Sequence, residues 1–112
     1  MINMAKYSLE IVRRNGNTFR DVDCTLIEAR KTAIRLIHTH GGKFATYVNI
    51  IKVTKGWKRS IIERIDFDVY IDDWTCVQFG KEDKSPLSRS RHYRLSAKTG
   101  KLLNWDKNMR YF

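Results

Sequence analysis

Two aspartates spaced two residues apart are the first side chains in this sequence that suggest chemistry. Asp66 and Asp68 lie in the run "SIIERIDFDVYI", where apolar and polar residues alternate as in a strand with one buried face. Residues two apart on a strand point to the same side, about 7 Å from each other. Two carboxylates at that spacing can share one Mg²⁺ ion, so a metal-dependent nuclease is one hypothesis.

The alternative is that both aspartates are solvated charges on an exposed sheet face. We expect them to lie opposite Lys52 or Lys55 on the neighbouring strand, where cross-strand ion pairs contribute a few tenths of a kcal/mol. No third carboxylate is placed by a recognisable motif. We therefore favour this alternative and expect neither a metal nor a cofactor.

The turn before this strand carries a tryptophan among cations. Lys55, Trp57, Lys58 and Arg59 occupy the sequence "KGWKR". Cations in such a turn can neutralise phosphates while the indole stacks on a base. The alternative is that Trp57 packs against the sheet edge and the cations are merely solvated.

A second basic region contains the sequence "SRSRHYR". Arg89, Arg91 and Arg94 lie there with Tyr93 between them, and residues 84–101 include no acidic residue. Arginine binds phosphate through its planar fork, so we predict phosphate contacts from the arginines and stacking by Tyr93. The alternative is a solubilising loop that contacts no ligand.

The remaining reactive residue types form no catalytic pattern. His38 and His40 are two apart on a predicted helix, where their side chains diverge. Cys24 and Cys76 are isolated in the sequence, and we expect free thiols. No phosphate-cradling glycine loop and no nucleophile motif is present, which favours a function without catalysis.

The elements that position these residues follow from hydrophobic periodicity. Residues 7–24 predict a hairpin, with Asn15 and Gly16 in a type I′ turn. A helix over about 26–40 is predicted, with Thr25 and Glu28 as a capping box and glycines at its end. Its apolar stripe leaves Arg30 largely on the polar side. Further strands are predicted at about 44–54, 60–71 and 74–79, and a last hairpin at "HYRLS" and "KLLNW".

These elements predict the order β-β-α-β-β-β-β-β in one domain over residues 1–112. Closely spaced strands require hairpins, so we expect an α+β fold of two layers, with one amphipathic helix on a mostly antiparallel sheet. In the strand at 60–71, the residues Ile65, Phe67, Val69 and Ile71 are predicted to face the core. A polar loop is expected at about 80–91, and a loose tail at about 106–112.

Charge is distributed unevenly along the chain. The net charge of +10 divides into +8 over residues 1–62, −5 over 63–83 and +7 over 84–112. A basic protein attracts polyanions over about a Debye length, and nucleic acid is the most abundant polyanion in a cell. The leading hypothesis is therefore a small non-catalytic protein that binds DNA or RNA mainly through phosphates.

A protein-binding module is the second hypothesis. An accessory or inhibitory protein of a phage or mobile element, docking on an acidic partner or a nucleic-acid enzyme, would carry similar charge asymmetry. A free sheet edge, such as one in the final hairpin, would also allow a homodimer by strand addition. No apolar run is long enough to cross a membrane, and "MINMAKYSLEIVRR" lacks a signal-peptide core, so a cytoplasmic protein is expected.

Overall fold

One helix packs on one face of a six-stranded antiparallel sheet in the computed structural model, which describes residues 5–56, 58–79 and 91–103. The spatial order of the strands is β2-β1-β3-β4-β5-β6. The predicted α+β architecture of two layers is confirmed. In chain order the elements are β1 (Ala5–Arg13), β2 (Gly16–Cys24), α1 (Leu26–Thr39), β3 (Thr46–Thr54), β4 (Lys58–Asp68), β5 (Asp73–Gln78) and β6 (Arg91–Arg94).

The core lies between α1 and alternate residues of the central strands. Every second side chain of a strand points to the same face, so one face of each strand supplies the core. Fully buried examples are Leu9 on β1, Ile50 on β3 and Ile65 on β4. They pack against Ala33 and Ile37 of the helix.

The boundaries of α1 follow from local backbone chemistry. The Thr25 hydroxyl accepts a hydrogen bond from the backbone N–H of Glu28 at 3.3 Å, as predicted for the N-cap. The carboxylate of Glu28 instead lies 3.4 Å from Lys31. At the other end, the N–H of Gly42 donates to the carbonyl of Ile37 at 2.8 Å in a Schellman arrangement, which the positive φ of Gly41 permits.

The β1–β2 turn differs from the predicted type I′. That turn needs positive φ at both central residues. Gly16 has φ 127°, whereas Arg14 and Asn15, the residues that bridge the strands, have no positive φ. Gly16 therefore has the predicted positive φ, but it is the first residue of β2 and not a central residue of the turn.

Strand β4 ends earlier than predicted, and this changes the environment of Val69 and Ile71. The Asp68 carboxylate accepts a hydrogen bond from the backbone N–H of Tyr70 at 2.8 Å, which closes a turn. Asp72 then adopts φ 54° before β5 begins. Val69 is consequently 56% exposed and Ile71 is half-buried, so neither extends the core face as predicted.

The last predicted hairpin is reduced in the described residues to one bridge between Leu95 and Leu102. The turn between them packs on α1, because Arg30 donates to the carbonyl of Gly100 at 3.2 Å. The predicted loop at 80–91, apart from Arg91, and the predicted tail at 106–112 lie outside the described residues. Among the described helices, none has the length and apolarity needed to cross a membrane.

Candidate nucleic-acid interface

The topology brings the two basic regions to the same end of the sheet. The β3–β4 turn extends beyond β5, because β5 ends at Gln78, which lies opposite Glu63 of β4. The chain leaves β5 at this end and re-enters the sheet at Arg91, opposite Gln78. Strand β5 therefore ends, and β6 begins, at the same end of the sheet as the β3–β4 turn.

Five of the described cations at this end are exposed and have no described counter-ion. None of them forms a salt bridge or a side-chain hydrogen bond with another described residue. Their charges are therefore available to a ligand. We call these residues the cationic end: Lys52, Lys55, Lys58, Arg59 and Arg91.

The opposite end of strand β4 is acidic. The strand begins with Lys58 and Arg59 and closes with Asp66 and Asp68. Asp66 lies seven positions after Arg59, or about 23 Å along an extended strand. That distance exceeds two Debye lengths at physiological salt, so the acidic end does not neutralise the cationic end.

Carboxylates near the cationic end are few in the described chain. Asp23 lies opposite Lys6 in the β1–β2 register, and Glu28 contacts Lys31 in the first turns of α1. Glu63 is buried in an ion pair with Arg30. The cationic end therefore keeps a net positive charge.

Four of the eight predicted contact residues belong to the cationic end of the sheet, namely Lys55, Lys58, Arg59 and Arg91. Arg94 lies at the far end of β6, and its guanidinium contacts the Asp73 carboxylate through Nε at 3.0 Å and through its terminal nitrogen at 2.6 Å. Tyr93 is half-buried opposite Cys76, on the helix side of the sheet. Trp57 and Arg89 lie outside the described residues.

Asp66 and Asp68 do not form a metal site with other described residues. The Asp66 carboxylate accepts a hydrogen bond from the N–H of Phe67 at 2.8 Å, and Asp68 closes the β4–β5 turn. In the described ranges no cluster of three or more histidine, cysteine or carboxylate side chains could hold a metal ion. The nuclease hypothesis gains no geometric support.

The predicted cross-strand partners of these aspartates are also wrong. Lys52 lies opposite Ser60, and Asp66 lies opposite Thr75 on β5. The pKa of Asp66 is raised above its ordinary value, mainly by burial. The neighbouring charge of Asp68 also raises this pKa, whereas the hydrogen bond from the Phe67 amide and the charge of Arg64 lower it. Asp66 is therefore a half-buried carboxylate and not a fully solvated one.

A row of hydrogen bonds crosses the sheet face opposite α1, and the sequence did not reveal it. Glu10 on β1 accepts from the Asn49 amide at 3.0 Å, and Asn49 accepts from Arg64 Nε at 3.1 Å. The Arg64 guanidinium lies 4.5 Å from the centre of the Tyr47 ring. These contacts hold Arg64 in place and tie β1, β3 and β4 together.

The second unpredicted cluster is a buried ion pair between helix and sheet. Arg30 contacts both carboxylate oxygens of Glu63 at 2.8 Å, and both residues are under 10% exposed. Glu63 also accepts from the Gln78 amide at 2.9 Å and from the Cys76 thiol at 3.1 Å. The strand pattern contains the missed signal, since Glu63 shares its face with Ile65 and Phe67.

Burial and hydrogen bonding act in opposite directions on this cluster. Burial alone would raise the pKa of Glu63, but hydrogen bonds and charge from Arg30, aided by Gln78 and Cys76, bring it below its usual value. The pKa of Cys76 is raised far above its ordinary value, mainly by burial and then by the charge of Glu63. Cys76 is therefore an unreactive thiol, and the cluster is structural.

Comparison with known proteins adds no functional information. No protein-family model, no curated protein and no solved structure matches this chain. Function is therefore inferred from the arrangement of residues alone.

Proposed function

We propose that this protein binds nucleic acid without catalysis, through phosphate contacts made by the cationic end. The observation that carries the proposal is that exposed cations without a described counter-ion, from the β3–β4 turn and the start of β6, lie at the same end of the sheet. Phosphate contacts of this kind supply most of the affinity of non-specific complexes. They require charge and access, and the cationic end has both.

Lysines and arginines have different roles in this interface. Lys55 and Lys58 lie at the turn and present point charges on flexible stems, which follow a phosphate backbone without fixed geometry. Arg59 and Arg91 lie on strands, and their planar forks can bind a phosphate through two hydrogen bonds. Arg94 is not assigned a role, because Asp73 already occupies its guanidinium.

Binding is proposed to depend little on base sequence. The described chain presents one helix, whose face toward the sheet is buried, and it lacks a second helix to form a helix-turn-helix. Contacts to phosphates carry no sequence information. We therefore expect similar affinities for unrelated sequences of the same nucleic-acid form.

Fluorescence anisotropy of labelled DNA and RNA, single-stranded and double-stranded, tests the proposal. The expected result is binding that persists near about 150 mM salt, with a dissociation constant that rises steeply between about 50 and 200 mM. Matched oligonucleotides of different sequence should bind equally. A preference for one form would then define the ligand class.

Loss of all binding by about 150 mM salt would contradict the proposal, since a net charge of +10 alone produces weak attraction at low salt. In that case a pull-down from nuclease-treated lysate tests the protein-binding hypothesis. Recovery of one defined acidic protein would identify the cationic end as a protein-docking surface instead.

A further inference from the structure

Strand β2 forms an unusually open edge of the sheet. It spans nine residues, whereas typical strands have about five or six. It pairs with β1 along its whole length without a bulge, and no described strand pairs with its outer side. Seven of its nine residues are exposed, including Phe19 at 58%.

Some of the protective features that proteins use at sheet edges are absent from β2. Natural edges are kept short, or carry proline, a bulge or charged side chains, lysine above all, because unpaired backbone groups otherwise recruit another strand. The opposite edge, β6, has only four residues. β2 contains neither proline nor lysine in the sequence "GNTFRDVDC". The two edges of this sheet therefore differ in their capacity to accept a strand.

We propose that two copies of this protein pair through β2, antiparallel, with a two-fold axis at Phe19. In such a pair, residues that lie opposite each other point to the same face of the sheet. The two-fold axis must therefore pass midway between the two copies of one residue. An axis at Phe19 places the two Phe19 rings opposite each other, Asn17 opposite Asp21 and Thr18 opposite Arg20. This register joins the segments from Gly16 to Val22 of both copies.

Charge excludes the next three registers toward the end of β2. An axis at Arg20 places two arginines opposite each other, and an axis at Asp21 does the same with two aspartates. An axis at Val22 places Asp21 opposite Asp23. Like charges directly opposite each other are destabilising. The register at Phe19 avoids these pairs and covers an exposed aromatic ring.

Charge also explains why a second copy can approach at β2. The whole chain carries +10, but β2 contains one arginine and two aspartates, a net charge of −1. Repulsion between copies is therefore weaker at this edge than at β6, which carries two arginines, and screening by salt weakens it further. The dimer leaves the cationic end of each copy exposed, so this inference does not depend on nucleic-acid binding.

Sedimentation velocity from about 1 to 100 µM, in about 150 mM salt, tests dimer formation. The expected result is a concentration-dependent shift from the 13.3 kDa monomer to a species of twice that mass. Phe19→Lys places two lysines at the axis and should leave the protein monomeric. Tyr70→Lys makes the same kind of change at a side chain that is 89% exposed outside β2, and it should preserve the dimer.

Cross-linking tests the register. In a Cys24→Ser background, Phe19→Cys should give a covalent dimer on mild oxidation with diamide, because the two thiols meet at the axis. Arg20→Cys and Asp21→Cys should cross-link far more slowly. Equal cross-linking of the three variants would overturn the register.

A monomer at every concentration would overturn the proposal and leave this edge to an extended segment of a different protein. A dimer that persists in a folded Phe19→Lys variant would also overturn it, since the contact would then lie elsewhere. Far-ultraviolet circular dichroism of each variant verifies folding.

Discussion

Glu63 accepts hydrogen bonds from three side chains inside the core, and Arg30 supplies the only described charge that balances it. Burying a carboxylate costs several kcal/mol unless it is paired and hydrogen-bonded. Here the guanidinium contacts both oxygens of the carboxylate, and the geometry offsets that cost. The pair also joins α1 to β4 at a fixed position, because neither residue has another described partner of opposite charge.

Glu63→Gln should lower the free energy of unfolding by about 3–5 kcal/mol, because Arg30 would remain buried without a counter-charge. This loss is a large fraction of the total for a domain of this size, about 5–15 kcal/mol. Urea denaturation measures it. The double variant Arg30→Met with Glu63→Leu removes both charges and should recover most of the loss. A double variant as unstable as the single one would contradict this account.

The pKa of Glu63 predicts how stability depends on pH. Its pKa is lower in the folded chain than the ordinary value of about 4.3, so the unfolded chain binds the proton first on acidification. The contribution of Glu63 is therefore fully present above about pH 4.3 and is lost as pH falls through the folded value. The wild type should lose stability between about pH 5 and 3 more steeply than the Arg30→Met, Glu63→Leu variant. Equal slopes in denaturation series would contradict the assignment.

At the scale of secondary-structure elements, α1 contacts the turn that contains Gly100. Gly100 has φ 74°, and a Cβ there would lie 2.6 Å from the carbonyl oxygen of Ile27 on α1. Gly56 in the β3–β4 turn has a similar φ of 81°, but a Cβ added there would meet no atom within 4 Å. Substitution of Gly56 therefore tests backbone strain alone, whereas substitution of Gly100 tests backbone strain together with a steric clash.

Gly56→Ala should cost about 1–2 kcal/mol, the usual penalty of a left-handed residue with a side chain. Gly100→Ala should cost about 1–3 kcal/mol more, because the added methyl group must displace the turn from α1. Thermal and urea denaturation of both variants provide the comparison. Equal losses would indicate that the turn and the helix are not in close contact.

The elements were predictable to the extent that local chemistry decides them. Thr25 and the glycines after α1 marked the helix, and alternating residues marked most strands. The end of β4 was missed because it depends on Asp68 closing a turn, which the apolar pattern through Val69 and Ile71 conceals. Arg30 was misplaced because its partner Glu63 is 33 residues away, and periodicity carries no information about such a pair.

At the scale of the whole molecule, the sheet brings exposed cations from separate parts of the chain to one end. The cationic end was visible in the sequence as two basic regions, but their proximity was not, because it follows from strand order and register. The same register removes Arg94 from the cationic end and pairs it with Asp73. The sequence therefore indicated two basic regions, and the topology decided which of their residues belong to the cationic end.

The salt dependence of binding in two matched double variants tests the central claim most directly. Arg59→Ala with Arg91→Ala removes two arginines from the cationic end. Arg14→Ala with Arg35→Ala removes two exposed arginines from the β1–β2 turn and from α1, so the net charge falls equally. Each variant is titrated against the same labelled duplex DNA at several salt concentrations.

The cationic-end variant should bind more weakly, and its slope of log affinity against log salt should fall by up to about 0.9 for each lost phosphate contact. The control variant should keep the slope of the wild type. Equal slopes for the two variants would contradict the account, because binding would then depend on total charge and not on the cationic end.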